Sequence, residues 1–172
     1  MRVLVGSSIM FSAVIAGAAP ATINVSSPAF LAGGAIPVQY TCDGAARAPT
    51  LTLSGVPANA QSVAILVDEP DAKDGPFTHM LVTNLPPDQT TIDLGAALPA
   101  DASLTRNDSG TLGYLAPCPE DGEHRYHYRV YALDLKVRRA PATRAVTRAS
   151  FLRGIQGHVL AEGELVGTYE RR

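Results

Sequence analysis

The apolar and polar positions of this chain gather around one stretch, SVAILVDEPDAKDGPFTHMLVTNLP, from Ser62 to Pro86. Ile65-Leu66-Val67 and Met80-Leu81-Val82 are continuous apolar triplets, the pattern of strands buried on both faces. Between them runs a polar loop with Asp68, Glu69, Asp71 and Asp74, and His79 opens the second run. Leu51 and Leu53 alternate with Thr52 and Ser54, the period of a half-buried strand. His124 to Leu133, HRYHYRVYAL, is rich in aromatic and β-branched residues and predicts a long strand. Alternation puts His124, Tyr126, Tyr128 and Val130 on one of its faces and Arg125, His127, Arg129 and Tyr131 on the other.

Shorter strands are expected over residues 22–30, Ile36–Tyr40, Thr91–Leu94 and Leu165–Tyr169. Gly33-Gly34, residues 55–59 and residues 106–113 read as turns. Residues 114–122 must be irregular, because Pro117 and Pro119 deny a ladder and disfavour helix. One helix is expected, capped by Thr143 or Thr147, with Phe151, Leu152 and Ile155 on its apolar face. Gly154 and Gly157 weaken it; the pattern carries it through Val159–Ala161, and Gly163 stops it.

Composition narrows the class. The chain has 172 residues, enough for one domain with a sizeable core. With 15 Gly, 13 Pro, no Trp and only 17% charged residues, it favours a loop-rich, mainly β protein over a helical bundle. The net charge of −2 and the lack of a basic patch argue against nucleic acid as a partner. Lys136, Arg138, Arg139, Arg144 and Arg148 read as a solvated surface.

Residues 1–21 have the layout of a secretory signal peptide: Arg2, an apolar run from Val3 to about Ala16, then small residues with cleavage patterns ending at Ala18 and Ala21. That leaves residues 22–172 as one domain, exported to a periplasmic or extracellular location. In an exported protein the two cysteines, Cys42 and Cys118, suggest one disulfide, the alternative being two buried thiols. The bridge would close a loop of about 75 residues and stabilise by ~4 kcal/mol.

Three constellations carry candidate chemistry. Glu69 and Asp71 flank Pro70, so in an extended segment their carboxylates face the same side and repel, raising one pKa unless donors or a cation intervene. His79 stands beside an apolar run, and His124 shares a strand face with Tyr126. Each alone is as well explained by packing or solvent. Together they lie at strand ends and form a candidate polar site, with the Pro-rich loop before His124 able to line its mouth. No H-E-x-x-H spacing and no activated Ser or Cys motif is present. No catalytic residue, metal or cofactor is therefore expected, and a metal-dependent hydrolase is the weakest alternative.

Several motifs, in order, resemble the phosphatidylethanolamine-binding protein family and its bacterial Raf kinase inhibitor-like branch: YTCDG at 40–44, SGVP at 54–57, DEPDA at 68–72, FTH at 77–79, NLP at 84–86, PCP at 117–119, HRY at 124–126, VYALD at 130–134 and GHVLAEGELVGTYER at 157–171. The resemblance implies a large antiparallel Greek-key sheet packed on a smaller one, with short C-terminal helical elements. It implies a small pocket for an anion such as phosphate or a phospholipid headgroup, walled by Glu69, Asp71, His79, His124 and Tyr126. Backbone donors would come from the loop at 115–119, which includes Ala116 and Pro117. The family also includes protease and kinase inhibitors that act through their surface, and of these a protease target suits an exported chain. Members often pair as homodimers. The chain departs from the pattern at Glu69, where Asp is usual, at Lys73, where Pro is typical, and at Met80, where Trp is common. Its LAPCPE loop lacks the usual glycines and second Pro. Ligand preference is expected to shift at these positions.

Overall fold

The structure, a computed structural model, describes residues 20–138 and 146–171. Residues 1–19 of the expected signal peptide lie outside them, as do Arg139, Thr143 and Arg144. Among the described residues there are nine strands and one helix: β1 (Ala21–Thr22), β2 (Asn24–Ser26), β3 (Thr50–Ser54), β4 (Ser62–Glu69), β5 (Phe77–Leu85), β6 (Thr91–Asp93), β7 (Ser103–Leu104), β8 (Glu123–Leu133), α1 (Arg148–Gly154) and β9 (Val159–Glu170). Six strands make a large sheet in the order β1-β9-β8-β4-β5-β7, and three make a small one in the order β2-β3-β6. Every pairing is antiparallel except β1 with β9. β4 and β5 form a hairpin, and β8 returns by a long connection to the other side of β4, the Greek-key step.

The two-sided burial of β4 has a simple cause. Val63, Ile65 and Val67 face the small sheet, in a core with Leu51, Leu53, Val82, Tyr128 and Val130. Ala64 and Leu66 face the opposite way and are covered by α1 through Phe151 and Ile155, with Leu81 and Leu133. All eight residues of β4 are buried. Each large aliphatic side chain removed from water in this way contributes about 1.5–3 kcal/mol.

Three predicted elements differ. The helix starts at the expected cap, with Thr147 accepting from the Ser150 N–H, but it ends at Gly154. Residues 159–163 are strand, the first part of β9. Gly163 is not a helix stop: a Cβ there would lie 2.0 Å from the Ile23 carbonyl oxygen, so it lets β9 approach the N-terminal segment. Gly167 does the same for Ile36 and Phe30, whose side chains would be 2.6 and 2.7 Å from its Cβ. Ile36–Tyr40 is not a strand either. Ala35 makes one parallel bridge with Thr168, and Pro37 then starts a 3-10 turn over Val38–Tyr40.

Charge placement also departs from expectation. Asp68 is not in the loop but at the end of β4, with no exposure. It accepts from Arg129 Nε at 2.9 Å and from Arg148 Nε at 2.7 Å. Arg148, read as solvated, therefore ties the first turn of α1 to the sheet, whereas Lys136 does make a surface pair with Asp101. Asp68→Asn leaves two guanidiniums facing a neutral amide and should cost about 3 kcal/mol in urea unfolding. A loss below about 1 kcal/mol would show that solvent already screens the pair.

Candidate functional site

The two strands that end beside each other, β4 and β5, bring Glu69 and His79 together. Their register slips by one residue: Val67 pairs with Met80, but Asp68 pairs with Thr78. His79 is the extra residue of this bulge, and a bulge re-aims a side chain that strict alternation would send to the other face. Its Nε2 meets Glu69 Oε2 at 2.9 Å, and its Nδ1 meets the Leu115 carbonyl at 2.8 Å. The carbonyl only accepts, so Nδ1 donates to it, and Nε2 faces the carboxylate.

β8 supplies the other half. His124 Nδ1 bonds the second Glu69 oxygen, Oε1. Tyr126, with no exposure, lies behind the pair, its O–H donating to Glu69 Oε1 at 3.4 Å and its ring edge-on to His79 at 5.3 Å between centroids. Phe77 closes the other side of His79 at 5.1 Å. Both oxygens of one buried carboxylate are thus used on two imidazoles. Burial pushes the Glu69 carboxyl up, but the hydrogen bonds from His79 and His124 outweigh it and the net shift is down. The Glu69 hydrogen bond raises His124 above its ordinary value, against a smaller opposing effect of burial. Burial, then the Glu69 charge, drives the Tyr126 hydroxyl far up, so it stays a neutral donor.

Glu69, His79 and His124 line a cavity of about 550 Å³, whose other walls are Phe77, the 72–75 turn and the 115–121 loop. Among the described residues the Ala116 N–H has no hydrogen-bond partner, while the His124 ring also meets the Asp121 backbone; both Ala116 and His124 line this cavity. Lys73 stands at its rim together with Asp74, Glu120 and Asp121. Cys42 and Cys118 are joined by a disulfide, with Cα atoms 5.4 Å apart, and both cysteines form part of the wall.

Four expectations are corrected by this geometry, the first being Tyr126, which is buried behind the histidines and does not line the cavity. Asp71 does not line the cavity: β4 ends at Glu69, and Pro70-Asp71 form a turn in which period-two reasoning fails, though the Asp71 charge still acts on His124. Its carboxylate instead accepts from Arg125 Nε, Nη2 and backbone N–H at 2.8, 2.7 and 3.0 Å, and these bonds hold its pKa down at about 2. Pro117 does not line the cavity; its carbonyl accepts from Cys42 N–H at 3.0 Å. Met80 does not line it either, but the floor of a second cavity of about 710 Å³, with Leu98, Leu104 and Arg47. Ala46 and Tyr114 stand between the two and line both. Leu115 falls in the loop expected to supply donors and Phe77 in the FTH motif, but neither the carbonyl contact of one nor the ring contact of the other is legible in sequence. Leu115 acts through a backbone carbonyl, which leaves no mark in residue type.

A family model for phosphatidylethanolamine-binding protein matches residues 26–170. The chain belongs to the phosphatidylethanolamine-binding protein family. A UPF0098 protein of Methanothermobacter thermautotrophicus is 41% identical over 153 residues, covering 87% of this chain and 99% of the relative. A protein of Mycobacterium tuberculosis named as a putative lipoprotein, LppC, is 37% identical over 150 residues, 86% of this chain and 72% of that one. A crystal structure of a putative homolog in this family from Chlamydia trachomatis superposes with a TM-score of 0.80 at 36% identity, over 88% of this chain and 99% of the other. In this chain the Glu69 cluster stands on the ends of the central strands β4, β5 and β8.

The raised pKa of His124 fixes a sign. Its bond with Glu69 stabilises the fold fully below the unfolded value of 6.5, and that stability is lost as pH rises through the higher folded value. An NMR titration of the His124 ring should give a midpoint above 6.5 that falls back in Glu69→Gln. A native midpoint at or below 6.5 contradicts the geometry.

Proposed function

We propose that this family member is a non-catalytic, exported binding protein whose histidine cavity takes a small phosphorylated headgroup, free or on a lipid. One observation carries the reading: Glu69 holds the His124 imidazole at the cavity wall, where the Ala116 N–H has no partner, so a ring donor and a backbone donor line the same space. A phosphate needs such donors, and a charge-assisted bond from an imidazolium is stronger than one from a neutral group. The raised pKa of His124 widens the range in which it donates.

The rim refines the ligand class. Asp74, Glu120 and Asp121 outnumber Lys73 there, which disfavours a bare anion and favours a zwitterion whose amine sits among the acids. Ethanolamine phosphate has that charge pattern. Export is supported by the disulfide, which persists in oxidising compartments, and by the lipoprotein name of the mycobacterial relative.

Phosphoethanolamine titrated into the isotopically labelled protein should shift the His124 and His79 ring signals and the Ala116 amide, with inorganic phosphate binding more weakly. His124→Ala should weaken binding at least about tenfold. Met80→Leu, in the floor of the second cavity, should leave it unchanged. No response of either histidine to either compound sinks the proposal.

A further inference from the structure

The wall of the cavity is held unevenly. The 41–47 side has several anchors of its own. Thr41, fully buried, donates from Oγ1 to the Val38 carbonyl at 2.9 Å. Asp43 accepts from the Tyr169 hydroxyl at 2.7 Å and from Arg171. The Arg47 N–H donates to the Gln39 carbonyl at 3.1 Å. The opposite side, residues 116–122, is tied to β8, through backbone bonds of Cys118 with Tyr126 and of Asp121 with His124, but has little to join it to the 41–47 side. Pro117 and Pro119 have no N–H to give. Beyond Leu115, whose N–H bonds the His79 carbonyl at 3.0 Å, its ties to the 41–47 side are the disulfide and the Cys42 N–H to Pro117 bond. Both bonds start from one residue, Cys42, and both cysteines are exposed.

We propose that the Cys42–Cys118 bridge is a redox latch on the cavity: its cleavage frees the 116–121 wall and weakens ligand binding. The wall carries Ala116, Glu120 and Asp121, and through Leu115 it orients His79. Its exposure makes the bridge a target for a dithiol reductant. One thiolate of the reductant attacks a cystine sulfur, forms a mixed disulfide and releases the other cysteine as a thiolate. The second thiol of the reductant then attacks the mixed disulfide. Cys42 and Cys118 end as two thiols and the reductant as a disulfide, a transfer of two electrons and two protons. Without the bridge, the segment keeps only its bonds to Tyr126 and His124, more of its ordering falls to the ligand, and that ordering is subtracted from affinity.

The affinity part rests on the headgroup reading above; the structural part does not. The experiment compares the oxidised protein, the protein reduced with dithiothreitol and the Cys42→Ser/Cys118→Ser variant. It follows amide hydrogen exchange, the His79 ring signals and phosphoethanolamine affinity. In both unbridged forms, exchange should rise in residues 115–122, stay unchanged in β4 and β8, and rise less in 41–47. The His79 ring should shift, and affinity should fall roughly tenfold. Unchanged exchange in 115–122, global loss of protection in β4 and β8, or full affinity with a loosened wall would each overturn the latch. If the oxidised protein binds no phosphoethanolamine, the headgroup reading fails, while exchange and the His79 ring still decide whether the bridge holds the wall.

Discussion

Two consecutive carboxylates, Asp68 and Glu69, are buried at the end of the most enclosed strand in the molecule. A buried charge must be matched or neutralised. Strand alternation sends the two acids to opposite faces, so the fold meets this demand twice in adjacent residues. On the helix face, Asp68 is met by Arg129 from β8 and Arg148 from α1. On the other face, Glu69 is met by His79 from β5 and His124 from β8. The first match fastens the helix to the sheet, and the second builds the wall of a cavity. Guanidiniums hold a charge at all working pH values, while imidazoles can carry or release a proton. The structural and the responsive halves of the site therefore differ by the choice of cation.

The surrounding loops are arranged to serve that cluster. The turn after β4 is fixed by the bidentate Arg125–Asp71 pair, which matches the Asp71 charge with a guanidinium. The segment before β8 contributes a carbonyl to His79 and is clipped across to Cys42. Chain segments rich in proline have few backbone donors with which to secure themselves. A covalent bond does so at a point where hydrogen bonds are scarce, and this explains why the cysteines lie where they do in space.

Much of the fold was legible. β3, β4, β5, β6 and β8 lie where apolar runs and alternation place them, and the two faces of β8 separate as its pattern requires. β9 misled because glycine was read for its helix-breaking property. Its role here is steric, giving Ile23, Phe30 and Ile36 a flat surface to approach. That role depends on which segments come near, and local pattern carries no trace of it. In the site, Glu69, His79, His124 and Tyr126 were named from type and motif and do come together. Asp71 and Met80 were misplaced, one by a turn that begins a residue earlier than extended-strand reasoning allows, the other by the bulge at His79.

Residue types and their order, alone, determined a mainly β chain built on two strands buried on both faces. They also determined which acids, histidines and cysteines could take part in chemistry. Those properties are local: hydrophobic period, proline geometry and the ionisable inventory travel with the residues themselves. The tertiary structure decided which partners those groups meet. A one-residue slip between β4 and β5 turned His79 toward Glu69, and the return of β8 beside β4 brought His124 to the second oxygen. Register and strand order are set by the packing of two whole sheets, and a carboxylate's partners follow from them.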